Sequence, residues 1–502
     1  MWKLKLCVIL IVLFSVSKRI NCEDHGYFWH ITDTHVDQNY SRTGNVKDMC
    51  HEDANLAENN HGSDNGLYGN FLCDAPQYLV NVTIAAMKEI HSNPDFIIWT
   101  GDNLPHTDDF YSDWDVIFEA IRNTTELLTT TFPNIPIIPC IGNHDTFPPN
   151  ILPNDNTSSN IYKGYLDKAG WKDLVNESEW SNFLTGGYFS QLVKPGLRII
   201  SVNTILWYIP NNLTSDVPDP GNQFQWLEAV LKNSSQSLEK VYIIGHVPPG
   251  YYNRAYKGGE TSPTMHHQHA ESFTKILLKY SPIITGQFYG HVHLDMFQIF
   301  QYDTGTFKGS SILAPSVTPW HTNNNNNITL PVNPSVRLIH FSHIDSKLLD
   351  YDQYYLNLTK ANSMKKVSED PKNLYELLYT FTNFYGVPDL STESLVKVYE
   401  ELKQNETAFD LFFTFLTVGK KSVDCDNDCQ VAQLCSMSCI TDSEYNMCFR
   451  SSSYVVKPKL NSVVLYFCVA LMITVTIMVA FYMYKKIFSS SSRNEYTRFS
   501  SI

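Results

Sequence analysis

The chain has 502 residues, of which 43% are hydrophobic, 13% aromatic and 18% charged, and its formal net charge is −14. This length can build a large hydrophobic core, and the aromatic content is typical of a folded chain rather than a disordered one. The acidic balance argues against a protein that binds nucleic-acid polymers, since such proteins contact phosphates through lysine and arginine. A phosphate ester remains open as a substrate, because a bound metal ion can provide the positive charge.

The N terminus resembles a secretory signal peptide. Lys3 and Lys5 precede an uncharged apolar run at 6–16. A basic start followed by a short apolar core is typical of signal peptides. We therefore predict that residues 1–21 are a signal peptide and that the mature chain enters an oxidising compartment.

Between residues 27 and 345, short apolar runs alternate with segments of helical periodicity. This alternation predicts a sheet-rich α/β core with helices on the outside. Helices are predicted at 77–91, 113–130, 223–232 and 270–280. Strands, rich in β-branched and aromatic residues, are predicted at 27–32, 96–100, 135–141, 188–193, 197–203, 241–245, 283–289, 296–301 and 310–317.

Five of these strands are directly followed by side chains that can bind a metal. In chain order these are Asp33 and His35, Asp102, Asn143 with His144, His246, and finally His291 with His293. Each motif alone is weak, because a single histidine at the end of a strand is more often structural. Loops at the carboxyl ends of strands are where α/β folds collect their functional sites. The occurrence of all five motifs, each directly after a strand, therefore predicts a single functional site.

The residue types in these motifs suit a pair of metal ions. On an extended segment, side chains two positions apart point to the same face, so both can reach one metal pocket. A carboxylate such as Asp102 can bridge two cations, which hold a hydroxide for in-line attack at phosphorus. Mixed histidine, aspartate and asparagine ligation without a thiolate favours zinc. His144, beside a ligand, is expected to protonate the leaving oxygen, with Asp145 orienting it.

After residue 345 the character of the chain changes. Amphipathic helices are predicted at 371–385 and 391–404, and a cluster of cysteines follows. In an oxidising compartment such a cluster predicts disulfides rather than a metal site. The disulfide candidates are Cys50 with Cys73, which bracket a Gly/Asn-rich loop, and Cys425, Cys429, Cys435 and Cys448, while Cys140 and Cys439 have no assigned partner.

The C-terminal region contains an apolar run without charge at 463–484. At 1.5 Å per residue, such a run is long enough to span a bilayer. Lys485 and Lys486 follow it and predict, by the positive-inside rule, a cytoplasmic tail at 485–502. A GPI signal is the alternative, but such signals normally end within the apolar stretch. The sequence therefore predicts a single-pass type I membrane protein whose catalytic domain faces the exterior or an endolysosomal lumen.

The chain carries ten Asn-X-Ser/Thr sequons, all before the apolar run. Their position on the side expected to be lumenal predicts a glycosylated surface. The glycosylation candidates are Asn39, Asn81, Asn123, Asn156, Asn176, Asn212, Asn233, Asn327, Asn357 and Asn405.

The ordered motifs resemble those of the calcineurin-like metallophosphoesterases, and in particular of the acid sphingomyelinase-like phosphodiesterases. The strings that carry this resemblance are DTHVDQNY at 33–40, GDNLPH at 101–106, HVPPG at 246–250 and APSVTP at 314–319. The resemblance implies a four-layer α/β/β/α sandwich with a helical, disulfide-rich C-terminal extension, here followed by the single transmembrane helix. The implied domains are a catalytic domain at 22–345, a helical domain at 346–450 and a stalk at 451–462.

The resemblance also implies a site with two zinc ions. One ion would be bound by Asp33, His35, Asp102 and His293, and the other by Asp102, Asn143, His246 and His291. His106 and His144 match the two histidines that are not ligands and that lie at the scissile phosphate.

The predicted function is therefore zinc-dependent phosphodiester or phosphoanhydride hydrolysis by a hydroxide held between the two metals. The substrate stays open between nucleotides and sphingomyelin. The short stretch before Asp33 lacks a saposin-type module, which favours a soluble substrate. We expect no nucleic-acid polymer as partner and treat the chain as a monomer. The alternative is a membrane receptor or lipid-organising protein that uses the metal site only for binding.

Overall fold

Two six-stranded sheets form the centre of the structure. The computed structural model describes residues 24–52, 64–107, 113–155, 157–252, 262–301, 306–324, 327–364, 371–420, 423–452 and 462–495. The chain divides into two units, Met1–Arg450 and Ser451–Ile502. The predicted signal peptide at 1–21 lies outside the described residues.

Both sheets belong to the first unit and are mixed. The strand order of the first sheet is Tyr375–Thr380, Leu348–Leu356, Ser335–Ser342, His25–Ile31, Phe96–Trp99, Ile137–Pro139. The order of the second is Met296–Gln301, Phe307–Leu313, Ile284–Tyr289, Lys240–Ile244, Leu197–Ser201, Phe189–Lys194. The last three strands of the first sheet are parallel, as are the four central strands of the second. Parallel pairing brings the carboxyl ends of neighbouring strands to one edge of each sheet.

The two sheets pack face to face through large aromatic side chains. The ring of Phe28 lies 5.7 Å from that of Tyr242 and 5.4 Å from that of Phe288, both in the other sheet. The neighbouring Trp29 points to the opposite face, as alternation along a strand requires, and its ring lies 6.0 Å from Tyr354. Apart from Tyr354, these side chains are fully buried, so one continuous core joins the sheets.

Helices cover the outer faces of both sheets. Gln77–Ile90 contacts the strand Ser335–Ser342, and Gln223–Gln236 contacts Lys240–Ile244. The α/β class predicted from the sequence is therefore confirmed. The helices of this region are Gln77–Ile90, Trp114–Thr131, Ser158–Asp167, Trp180–Gly186, Gln223–Gln236, His267–Lys279 and Leu358–Ser363. Short paired strands at Val36–Asp37 with Ala75–Pro76, Tyr251–Tyr252 with Ser262–Pro263, and Asn323–Asn324 with Asn327–Ile328 complete it.

The prediction of a helix at 371–385 is wrong over most of its length. Tyr375–Thr380 is the edge strand of the first sheet, and only Phe381–Tyr385 is helical. The register of this edge strand shifts where it pairs with Gln353 and Tyr354, because the edge strand contains one extra residue there. Tyr375 and Tyr379 are buried, but Leu377 between them is exposed. The bulge therefore interrupts the strict alternation of a strand, and the remaining four-residue spacing of buried side chains imitates a helix.

The region after this strand is helical and closed by disulfides, as predicted. Its helices are Thr392–Gln404, Glu406–Leu416, Asn427–Ser438 and Asp442–Ser452. The structure pairs Cys425 with Cys429 and Cys435 with Cys448, and it also pairs Cys50 with Cys73. Cys140 and Cys439 are both buried and not disulfide-bonded.

The predicted membrane span is not borne out. The apolar run at 463–484 lies in the helix Ser462–Glu495 of the second unit. Within the described part of the chain, no helix is long and apolar enough to cross a bilayer. The prediction of a single-pass type I membrane protein is therefore contradicted.

Candidate active site and metal centre

The metal-ligand side chains predicted from the sequence come together in one place. They lie in the loops after the carboxyl ends of parallel strands, where the two sheets meet. Their donor atoms form two groups on either side of Asp102. A cleft of about 490 Å³ borders them and is lined by Asp102, Asn143, His291 and His293. His106 and His144 also line this cleft.

The first group joins Asp33 and His35, from the Asp-X-His motif, with His293, the second histidine of the His-X-His motif. Nε2 of His293 lies 3.1 Å from Oδ1 of Asp33 and 3.2 Å from Nε2 of His35. Nε2 of His35 also lies 3.4 Å from Oδ2 of Asp102. These side chains are almost completely buried, so their charges interact with little screening by water.

The second group surrounds the same carboxylate oxygen. Oδ2 of Asp102 lies 3.0 Å from Nε2 of His246. Oδ1 of Asn143 lies 2.9 Å from that nitrogen and 2.9 Å from Nδ1 of His291. A single oxygen of Asp102 therefore contacts both groups, which is the position that a ligand shared by two metals requires.

The hydrogen bonds of two histidines test whether these groups fit metal ions. Nδ1 of His35 donates to the backbone oxygen of Leu104 at 2.6 Å, and Nδ1 of His246 donates to that of Thr100 at 2.7 Å. In a neutral imidazole the other nitrogen, Nε2, then carries a lone pair directed into its group. In the second group this lone pair faces a carboxylate oxygen and an amide oxygen, so three electron donors converge. A divalent cation satisfies all three, and the residues fit a pair of metal ions.

The pKa values of the metal-free protein also indicate that positive charge is favoured in the second group. Burial opposes protonation of His246, but Asp102 outweighs it and raises the pKa of His246 to about 9. Burial likewise opposes ionisation of Asp102, yet His246 holds the pKa of that carboxyl below its usual range. Burial, followed by the charge of His246, lowers the pKa of His291 to about 3. A divalent cation held by His246, Asp102 and Asn143 would take the place of the proton on His246.

Five of the predicted ligands adopt a backbone conformation that residues other than glycine rarely adopt. Their φ angles are 50° for Asp33, 37° for His35, 59° for Asp102, 66° for His291 and 62° for His293. Such strain is typical of functional sites, where surrounding contacts impose it. The backbone N–H of His291 donates to both carboxylate oxygens of Asp33, at 3.1 Å each, and so ties two of the strained loops together.

Two glycines of the motifs are required by close approach. A Cβ atom at Gly142 would lie 2.2 Å from Oδ1 of Asp102, and one at Gly290 would lie 2.1 Å from Oγ1 of Thr32. Real Cβ contacts are not that short, so a larger residue at either position would displace the neighbouring ligand loop.

Asp145 has a different partner from the one predicted. We expected it to orient His144, but its carboxylate accepts hydrogen bonds from backbone N–H groups. Oδ2 accepts from Gly142 and Asp102, each at 2.9 Å, and Oδ1 accepts from Asn103 at 2.8 Å. Asp145 therefore fixes the two ligand loops relative to each other.

The two histidines that are not predicted ligands lie side by side at the cleft. Their ring centroids are 4.4 Å apart, and the backbone N–H of His144 donates to Oδ1 of Asp102 at 2.8 Å. Burial and then the nearby His106 lower the pKa of His144 to about 3. His144 is therefore a neutral imidazole at neutral and mildly acidic pH, and it can donate one N–H hydrogen bond.

His106 is held by a residue that the sequence analysis missed. The fully buried Asp74 accepts from the backbone N–H of His106 at 2.7 Å and from its Nδ1 at 3.0 Å. Oγ1 of Thr318 donates to the same carboxylate at 3.1 Å. The ring of His106 stacks on that of Trp320, with centroids 3.8 Å apart. Asp74 is adjacent to the disulfide-bonded Cys73, which was the only local signal for it.

The remaining predictions concern the surface. Seven of the sequon asparagines are exposed and Asn357 is half-buried, while Asn156 lies outside the described residues. Side-chain exposure is not described for Asn327. His266, His267 and His269 lie close together in the sequence but are not among the residues that line the cleft. The buried His269 donates from Nε2 to the backbone oxygen of Val217 at 2.7 Å.

Comparison with known proteins agrees with this geometry. A family model described as calcineurin-like phosphoesterase matches residues 26–295, and one described as acid sphingomyelin phosphodiesterase C-terminal region matches residues 308–455. The acid sphingomyelinase-like phosphodiesterase 3b of Homo sapiens is 33% identical over 439 residues, which are 87% of this chain and 92% of the relative.

Two further relatives have names that specify different substrates. The cyclic GMP-AMP phosphodiesterase SMPDL3A of Homo sapiens is 35% identical over 429 residues, covering 85% of this chain and 90% of the relative. The sphingomyelinase phosphodiesterase C of Dictyostelium discoideum is 32% identical over 443 residues, covering 86% of this chain and 95% of the relative. These matches support a hydrolase of phosphoric ester bonds and leave the substrate open.

Proposed function

This chain belongs to the acid sphingomyelinase-like phosphodiesterases of the calcineurin-like phosphoesterase family, and on that premise we propose a zinc-dependent phosphodiesterase for small soluble phosphoesters. The observation that carries the proposal is the position of Asp102, whose single oxygen Oδ2 lies within 3.4 Å of His35 and 3.0 Å of His246. A carboxylate so placed between two groups of donors suits two metal ions.

The proposed ligands follow the two groups. Asp33, His35, Asp102 and His293 would hold one ion, and Asp102, Asn143, His246 and His291 the other. Two bound divalent ions supply Lewis acidity, which stabilises negative charge on the phosphate. Nitrogen and oxygen donors of this kind support zinc as the metal.

His144 and His106 are proposed to act on the substrate. Both border the cleft beside the metal groups. The neutral imidazole of His144 can donate its N–H to the leaving oxygen and stabilise the charge that develops there. His106, with its Nδ1 bonded to Asp74, directs its other nitrogen away from that carboxylate and contributes a second polar contact.

The cleft supports a substrate with a planar or compact polar group. Its walls include the aromatic residues Tyr208 and Trp320 and the hydroxyl groups of Thr322 and Thr329. Its volume of about 490 Å³ falls in the range of small-molecule sites. We therefore propose nucleotides, including cyclic dinucleotides, as the substrate class. Sphingomyelin is the second candidate, because one relative carries that activity in its name.

A comparison of substrates tests the proposal. Purified protein is assayed with ATP, with a cyclic dinucleotide and with sphingomyelin in liposomes, each with and without added zinc. We expect zinc-dependent release of nucleotide or phosphate from the soluble substrates and little release of phosphocholine. Turnover of sphingomyelin alone would contradict the substrate class, and inactivity on all three would contradict the enzymatic function.

A further inference from the structure

Asn143 is the only predicted ligand whose donor atom depends on how an amide is turned. Its Oδ1 faces His246 and His291, at 2.9 Å from a nitrogen of each. A metal ion binds an amide through its oxygen and not through its NH₂ group. Because oxygen and nitrogen of an amide are nearly equal in size, packing alone does not decide which of them faces the metal.

The other end of this amide has one identified partner. Nδ2 of Asn143 donates to Oδ1 of Asn150 at 2.8 Å. The backbone N–H of Asn150 donates in turn to the backbone oxygen of Asn143 at 2.7 Å. The two asparagines therefore form a closed pair with one side-chain and one main-chain hydrogen bond.

The loop between them supports this closed pair. Oγ1 of Thr146 donates to the backbone oxygens of Asn143 and Pro148, at 3.0 and 3.1 Å. Asn150 itself has a φ of 71°, in the left-handed region that asparagine tolerates better than most residues. The short loop thus returns the side chain of Asn150 to the ligand that begins it.

In the absence of a metal, the opposite orientation of the Asn143 amide could also be stabilised by a hydrogen bond. A turned Asn143 would direct its NH₂ group toward Nδ1 of His291, 2.9 Å from that end of the amide, and this nitrogen accepts a hydrogen bond in the Nε2–H tautomer. That orientation would direct an NH₂ group at the metal position and prevent ligation.

We propose that Asn150 is a positioning residue that holds the amide of Asn143 with its oxygen toward the second metal. This rests on the proposed function, in which Asn143 is a ligand. The acceptor at position 150 fixes the NH₂ group, and the oxygen then points into the group formed with Asp102, His246 and His291. Removal of residues that orient a metal ligand typically lowers metal affinity by about 10- to 100-fold.

Two variants of Asn150 distinguish the effect of its side-chain acceptor from the effect of its backbone conformation. Asn150→Gly removes the side-chain acceptor and retains access to positive φ, whereas Asn150→Asp keeps an acceptor that cannot donate. Zinc affinity is measured by competition with a chelator, and cobalt(II) is used as a spectroscopic probe of coordination. We expect Asn150→Gly to bind the second ion about 10- to 100-fold more weakly with an altered cobalt absorption band, and Asn150→Asp to bind it like the wild type.

Equal affinity for both ions in Asn150→Gly and the wild type would overturn the inference. So would an Asn150→Asp protein that loses the second ion as readily as Asn150→Gly, because the acceptor would then be irrelevant. In either outcome, the proposed function stands as long as the wild-type protein binds two ions. A wild type that binds fewer than two would contradict the metal centre itself, and with it this role of Asn150.

Discussion

Asp74 and His106 form a two-point contact in which one buried carboxylate accepts both the backbone N–H and the Nδ1–H of the histidine, at 2.7 and 3.0 Å. A histidine bonded in this way has a fixed ring orientation and a fixed tautomer, in which the proton is on Nδ1. The orientation of His106 at the cleft is thus determined by a residue that is 32 positions away in the chain.

Replacing this carboxylate should lower turnover without removing metal. In Asp74→Ala, the ring of His106 loses its hydrogen-bond partner, and we expect kcat to fall by about 10- to 100-fold, the loss typical when a partner that orients a functional histidine is removed. Zinc content should remain that of the wild type, because Asp74 is not a proposed ligand. Steady-state kinetics with metal analysis of the same samples checks this, and an unchanged kcat would show that Asp74 has no positioning role.

Substitutions of His144 and Asp102, which are neighbours in space, should distinguish loss of catalysis from loss of metal binding. His144→Ala should retain both ions and lose about 10²- to 10⁴-fold in kcat, the range for a general acid or base. Asp102→Asn should lose metal as well as turnover, since its carboxylate oxygen is shared by both groups. Full activity in His144→Ala would favour a protein that uses the site only for binding.

Metal affinity should depend on pH. The pKa of His246 in the metal-free protein is raised to about 9, so this residue stays protonated below that pH until a metal displaces the proton. Apparent affinity for the second ion should therefore rise by about tenfold per pH unit between pH 6 and 8 and level off above about 9. Titration calorimetry in buffers of different ionisation enthalpy measures the released proton, and an affinity independent of pH would contradict this assignment.

Loss of one partner from a buried ion pair outside the cleft should destabilise the fold. Nη2 of Arg337 donates to Oδ1 of Asp295, and the hydroxyl of Tyr379 donates to Oδ2 at 2.6 Å. Both charged side chains are buried. Asp295→Ala leaves the guanidinium without its partner, and we expect the free energy of unfolding to fall by about 3–5 kcal/mol. Chemical denaturation measures this change, with the exposed Lys163→Ala as a control that should cost less than about 1 kcal/mol.

The convergence of the proposed metal ligands could be predicted because the sequence signals for them are local. Each motif directly follows an apolar strand, as Asp102 follows Phe96–Trp99, so strand periodicity and adjacent residue types were sufficient. The parallel strands then brought these motifs to one edge.

The supporting residues could not be predicted because their contacts are distant or depend on backbone detail. Asp74 contacts His106 across 32 positions, and its only local signal, the adjacent Cys73, does not indicate His106 as its partner. Asp145 was assigned to the adjacent His144, but its carboxylate accepts from three backbone N–H groups of the ligand loops. The strand Tyr375–Thr380 was read as helix because its bulge changes the spacing of buried residues.

The measurement that tests the account most directly is the zinc content of the purified protein, determined together with its turnover of a soluble phosphodiester before and after chelation. We predict two zinc ions per chain, loss of turnover when they are removed, and recovery when zinc is returned. A protein that contains fewer than two ions, or that retains full turnover after complete metal removal, would contradict the two-metal centre.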